Sequence, residues 1–393
     1  MKTSPERAAR PAPGGSTTLP LVAIIVGQVC LHACMAGVRV AAPLQVLNDG
    51  HSAWAVGVLM ALFAAGPIAF ALQAGRLADQ HGYHRPLHLA VALCAAGGLA
   101  ACVSQHYLAL CLAALLTGTG ANVGMITLQR SAGRLANSAV ERMRIFSWVG
   151  LAPALANVVG AVGAGVLIDH AGYRAAFAVL MLLPLGALAW TRFVAREAAR
   201  GPQAASRPRR AAWGLLQSPQ LRRLLLVNWL LSASWDMHGF VLPVLGHESG
   251  MSASAIGSIL GLFAAAVAAV RLLVPLLAHR LRERQVLVGA MLCTALVLAV
   301  YPLVRTVWLM AACALLLGLA LGSVQPMIMS TLHHITPHER HGEAIALRSM
   351  TINFASTVMP LLFGVAGAAL GAGALFWVMA AAVGAGSLQA RRI

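Results

Sequence analysis

The chain alternates between long apolar runs and short polar gaps. Twelve apolar runs can be marked, at about 20–44, 53–75, 86–104, 107–129, 145–168, 173–194, 222–246, 254–278, 285–303, 306–330, 344–369 and 372–389. A helix needs about 20 apolar residues to cross about 30 Å of hydrocarbon, and each run is near that length. Most runs contain Gly or Pro, which a membrane helix tolerates because lipid offers the backbone no competing partner. The pattern predicts an all-α integral membrane protein of twelve transmembrane helices.

The polar gaps alternate sharply in charge. One set carries Lys2, Arg7 and Arg10; Arg76 and Arg85; Arg130, Arg134, Arg142 and Arg144; the arginines from Arg192 to Arg223; Arg280, Arg282 and Arg284; Arg340 and Arg348; and Arg391 and Arg392. The alternate set carries only Arg174 and Arg305. Basic gaps lie on the cytoplasmic side of a membrane, so both termini are expected there, and the number of spans is even. The longest gap, 195–221, is rich in Arg, Pro, Ala and Ser. It divides the chain into a cytoplasmic tail at 1–19, a six-helix bundle at 20–194, the linker itself, a second bundle at 222–389 and a short tail at 390–393.

The halves are related. "GRLADQHGYHR" begins at Gly75 and "PLLAHRLRERQ" at Pro275, 200 residues on, with Leu77/Leu277 and Ala78/Ala278 coinciding. "GANVGMI" at Gly120 is echoed by "GSVQPMI" at Gly322. A duplicated six-helix unit is a mark of many secondary transporters, whose site lies between the repeats.

Composition narrows the picture. Apolar residues make up 59% of the chain and charged residues 10%, where soluble proteins are about 25% charged. A soluble enzyme, a disordered protein and a secreted disulfide scaffold are excluded. The net charge of +17 raises nucleic acid as a partner, but the basic residues fall in the gaps and accompany no recognition motif. The bilayer is the partner that this distribution fits. Lys2 is the single lysine, and alanine is abundant; this arginine- and alanine-rich usage suggests a GC-rich bacterial genome and a bacterial cytoplasmic (inner) membrane. The seven cysteines lie in or beside apolar runs, where they read as small buried residues. No ATP-binding loop, metal-ligand set or cofactor loop is placed to work, so no cofactor or metal is expected.

At the segment "GRLADQHGYHR" the sequence resembles the major facilitator superfamily. Gly75, Leu77, Asp79, Gly82 and Arg85 match that family's loop between helices two and three. The resemblance implies that Asp79 docks against the start of helix eleven, near Glu343, and closes the cytoplasmic side. A carboxylate there gains from the helix dipole and free N–H groups. A second segment, "GVLIDHAGYRAAF" (Gly165, Asp169, Gly172, Arg174, Phe177), resembles the joint between helices five and six in many efflux members. Drug/proton antiporters often carry an arginine in helix four and a G-P-x-x-G-G stretch in helix five; here Ala114, Ala161 and Ala164 stand at the corresponding positions.

Within the spans, Asp236 is the single acidic residue well inside a run. A carboxylate at that depth is costly and faces protein or water, so Asp236 is the candidate for proton coupling. On helix one, Gln28, His32, Met35 and Arg39 are spaced to form one stripe. Helix four offers Asn122, Met125 and Gln129; helix seven Asn228, Ser232 and Trp235; helix ten Ser323 and Gln325. The resemblance implies that helices one, four, seven and ten line a central cavity, so these stripes converge on a substrate. Counted from cytoplasmic starts near 20 and 222, Arg39 and Asp236 differ in depth by about five residues, or about 7.5 Å. An ion pair across the two halves is expected. Arg271 is isolated in helix eight and either pairs with a polar group or reaches for the interface. The His-rich "HHITPHERH" (His333, His334, His338, His341) reads as a solvated loop, and the glycines of "GTGANVG" at Gly118 as helix packing.

The reading is alternating-access transport of a small, amphiphilic organic solute, with export driven by the proton gradient, by a monomer. Proton-coupled uptake is the alternative within transport; a non-transporting receptor or a membrane enzyme is the alternative outside it. Topology is open to direct test. A cysteine introduced at Gln203 should react with an impermeant thiol reagent from the cytoplasmic face only, and labelling from the opposite face would refute the orientation.

Overall fold

The computed structural model describes residues 18–135, 139–195, 214–277, 282–304, 306–337 and 341–393. The side chains of a few helical residues, Asp79 among them, and most of the 195–221 linker lie outside this description. Among the described residues there are twelve long helices and no strand. They are α1 (Thr18–Asn48), α2 (Ala53–His81), α3 (His84–Val103), α4 (Tyr107–Leu135), α5 (139–171), α6 (173–190), α7 (Pro219–Glu248), α8 (Ala253–Leu277), α9 (Glu283–Val300), α10 (Val307–Ile335), α11 (His341–Leu370) and α12 (Ala372–Ala390). The helices α5 and α6 form one run, Ala139–Trp190, broken at Gly172 with φ 79° and ψ 172°.

Hydrocarbon leaves each backbone N–H and C=O to be satisfied within its own segment, which is why apolar runs become helices here. Every helix except α7 has a stretch apolar enough to span, α5 and α6 within one run. α7 carries Asn228, Ser234, Asp236 and His238, all buried. It is held in the membrane by protein around its polar positions, not by its own hydropathy.

Several helices outrun their apolar segments. α2 continues to His81 and ends at Gly82, φ 68°. Gly75, Leu77 and Asp79 therefore stand on the last turns of a helix, which corrects the expectation of a loop there. Long basic side chains reach the headgroup level and allow a helix to continue beyond the hydrocarbon. For the same reason His333 and His334 belong to the end of α10, with His334 Nδ1 3.7 Å from Glu283 Oε1. His338 lies outside the described residues. No group of metal-ligating side chains occurs among the described residues.

The internal repeat is visible in backbone detail. α1 ends in a left-handed glycine, Gly50, whose N–H reaches Leu47 O while His51 N–H reaches Val46 O. α7 ends identically at Gly250, with Gly250 N–H on His247 O and Met251 N–H on Gly246 O. Both are Schellman caps, 200 residues apart.

The halves meet through α2 against α11 and α5 against α8. Both contacts depend on small residues. A Cβ on Gly57 would lie 2.6 Å from Pro360 O, and one on Gly257 would collide with Ala161 O. Membrane helices gain little hydrophobic drive from each other, so close backbone approach supplies the contact. Gly57, Gly165, Gly257 and Gly364 all lie toward the end of the bundle remote from both termini. That end is joined in this conformation.

Positions 53 and 367 report on the joint, because a Cβ on Gly367 would stand 3.9 Å from Ala53 Cβ, within disulfide range. Ala53→Cys with Gly367→Cys should cross-link on oxidation and arrest solute flux, with recovery on reduction. Absence of a cross-link, read by gel mobility after cleavage in the linker, would refute this packing.

Candidate functional site

Midway along α7, Asp236 is 5% exposed. Its Oδ1 lies 3.4 Å from Arg39 Nη2 on α1, and its Oδ2 accepts a 2.8 Å hydrogen bond from Ser356 Oγ on α11. The carboxylate thus ties together the first half, through Arg39, and the second half, through Ser356. The Arg39 side chain is 29% exposed and keeps contact with the space beside it.

That space is a cavity of about 300 Å³. Arg39, Asn228, Trp235, Asp236, Arg271, Gln325, Arg348 and Ser356 contribute its polar wall, and Leu231, Leu321, Val324 and Ile352 its apolar wall. It lies between the middle of the bundle and the end that carries the termini, because Asn228, Arg271 and Arg348 all sit toward that end of their helices. A smaller cavity of about 70 Å³ continues from Arg39 and Trp235 toward Asn157 on α5 and His238 on α7. The Trp235 ring meets Phe263 edge to face at 4.7 Å, which orients it. His238 is buried and lies 3.3 Å from the Tyr301 hydroxyl.

Arg271 Nη2 donates to Gln325 Oε1 at 2.9 Å, so of its two expected fates it takes the polar partner. Arg348 Nε donates to Asn228 Oδ1 at 3.1 Å and is 9% exposed. The charge alternation groups it with the connector arginines; α11 begins at His341, which places Arg348 two turns inside a helix. Neither arginine has a carboxylate partner among the described residues.

The nine candidate cavity residues separate into two groups. Arg39, Asn228, Trp235, Asp236 and Gln325 come together around one space. Gln28, His32, Asn122 and Gln129 line neither cavity. Gln28 is fully buried, His32 nearly so, and Gln129 is exposed elsewhere. The reason is packing: α1 is covered by α4 and by the α5–α6 run, and of its residues Ala36, Arg39 and Val40 line these two cavities. Of the residues matched to the cytoplasmic gate, Gly75 is half-buried, Gly82 buried and Arg85 exposed; the Asp79 side chain lies outside the described residues.

Three contributors escaped the sequence reading. Ser356 and Arg348 sit on α11, which carried no expected cavity residue. Asp169, part of the segment resembling efflux members but given no role, accepts hydrogen bonds from Ala253 N–H at 3.0 Å and Ser254 N–H at 2.8 Å. It caps the first turn of α8 from the opposite half, where the helix dipole favours an anion. No periodicity reveals a partner 84 residues away.

Comparison with known proteins agrees with this architecture. The family model "Major Facilitator Superfamily" matches residues 24–233 and 224–391. No curated relative matches the chain in sequence. Among solved structures, a POT family transporter in complex with 5-aminolevulinic acid aligns with TM-score 0.76 at 11% identity, covering 94% of each chain. A POT family transporter with a thioalcohol-conjugated peptide aligns with TM-score 0.77 at 12% identity, again covering 94% of each. A mutant of the nucleoside transporter NupG aligns with TM-score 0.77 at 11% identity, covering 95% of this chain and 99% of that one. These neighbours are transporters, not enzymes. With twelve helices in two related halves and a family match over nearly its whole length, the chain belongs to the major facilitator superfamily of multi-pass membrane transporters.

Proposed function

We propose that this chain is a proton-linked transporter that carries a small organic solute through the cavity at Arg39 and Asp236 by alternating access. The observation that carries the reading is the Arg39–Asp236 contact, 3.4 Å long, made between the two halves on the cavity wall. Movement of one half against the other changes the distance between these charges. Separation takes the Arg39 charge away from the carboxylate, which ties the carboxylate's exchange of a proton to that movement. A proton could then enter from one side of the membrane and leave on the other.

With both termini cytoplasmic, as the arginine alternation suggests, the conformation described is closed outward and has its cavity on the inner side. Asp169 at the start of α8 and the glycines of α2, α5, α8 and α11 would be the outer joint, and the Asp79 segment the inner gate. Export of an amphiphile is the direction suggested by the resemblance of "GVLIDHAGYRAAF" to efflux members. Trp235 and the aliphatic wall suit an apolar body better than a sugar.

Two outcomes follow from the pair. In proteoliposomes, Asp236→Asn should abolish flux driven by a pH gradient while sparing solute exchange at equal concentrations; full pH-driven flux would remove Asp236 from coupling. The stability effects should be unequal. Arg39→Gln strands a buried carboxylate and should cost about 2–3 kcal/mol, below the ~3–5 kcal/mol of a wholly buried pair because Arg39 retains solvent contact. Asp236→Asn leaves a half-solvated arginine and should cost less. The double variant should melt above Arg39→Gln, a ranking that thermal unfolding in detergent can check.

A further inference from the structure

We infer that the cavity is built for an organic anion, held by the guanidinium groups of Arg271 and Arg348 with its apolar body against Trp235. This rests on the transport reading above and adds the chemical class of the solute.

The charges of the cavity do not balance. Among the described residues, three arginines line it, Arg39 from α1, Arg271 from α8 and Arg348 from α11, against one carboxylate, Asp236. Asp236 is already engaged by Arg39 and Ser356. Among the described residues, the other two arginines meet neutral amide oxygens: Gln325 Oε1 for Arg271 and Asn228 Oδ1 for Arg348. Cations within a membrane protein are costly and persist where a counter-charge or water answers them. An amide oxygen answers one N–H and none of the charge. Each guanidinium carries five donors in a planar fork. A single bond through Nη2 or Nε leaves the rest of each fork for a ligand.

The form of the donors narrows the class further. A guanidinium pairs with planar or tetrahedral oxyanions through two parallel N–H···O bonds. A carboxylate and a phosphate monoester share that chemistry. Both arginines belong to the second half, so an anion bound there moves with that half. An organic cation would meet two like charges on the wall, which argues against the amine-bearing amphiphiles that an apolar cavity with one acidic residue would otherwise suggest.

The test uses the full-length protein in detergent with four probes of one shape: 1-naphthoate, 1-naphthyl phosphate, 1-naphthamide and 1-naphthylmethylamine. Titrations follow tryptophan fluorescence and, independently, thermal stability. One or both anions should bind while the amide and the amine do not. Preference between the two anions identifies the oxyanion. Arg271→Gln, at a half-exposed position, should weaken anion binding by about tenfold or more. Arg348→Lys, which keeps the charge but loses the fork, should weaken it less than Arg348→Gln. Binding of the amide or the amine in preference to the anions would overturn the inference. So would failure of both anions to bind, or anion affinity unchanged in Arg271→Gln and Arg348→Gln. The transport reading is judged separately, by flux of the bound anion into proteoliposomes. Specific binding without flux would leave the anion site standing and remove transport; flux of only neutral or cationic solutes would do the reverse.

Discussion

A charge inside a membrane must be answered by a partner, by water or by a compensating charge, because hydrocarbon offers nothing else. The arrangement around Asp236 follows from that requirement. The carboxylate sits midway along α7, and that helix is the most polar of the twelve. Protein therefore surrounds it: Arg39 approaches from α1 and Ser356 from α11. Since α1 and α7 belong to different halves, the contact that pays for burying Asp236 is also a contact between the two halves.

The contacts that close the remote end are of another kind. Gly57 and Gly257 bring backbones together so closely that a single added carbon would collide. Such packing is made of many weak attractions with no trapped charge. Asp169 adds a directed element, two hydrogen bonds to the first N–H groups of α8. The repeat does not copy it. Counted from the matching glycine contacts, Gly165 with α8 and Gly364 with α2, the equivalent position is Ala368, so α2 starts without the carboxylate cap that α8 has. The duplicated halves share their folds and glycine contacts but differ in their charges.

That difference extends to the cavity. Its described arginines and carboxylate are unevenly divided, with Arg39 from the first half and Asp236, Arg271 and Arg348 from the second. The scaffold is pseudo-symmetric, and its charges depart from that symmetry.

Much of the fold was legible in the chain. Twelve apolar runs, the charge alternation of their gaps and the 200-residue echo specify a two-half membrane bundle, because the bilayer imposes helix length and leaves little alternative for the backbone. Asp236 and Arg39 were legible too, since a charge among apolar residues stands out against its background and its cost demands a partner. The stripe of α1 was only partly informative: Arg39 reaches the cavity while Gln28 and His32 are covered. Periodicity gives the face on which residues lie; it does not say which neighbour covers each part of that face. Arg348 and Ser356 were hidden for the opposite reason. An arginine near the start of a span resembles a connector residue, and a serine resembles many others in the bundle. Their meaning came from the crossing of α11 with α7, which brings residues 120 positions apart within hydrogen-bonding distance. One-dimensional pattern determines which segments enter the membrane, since that depends on each segment's own transfer from water. Only three-dimensional packing decides which polar groups meet, since that depends on every helix at once.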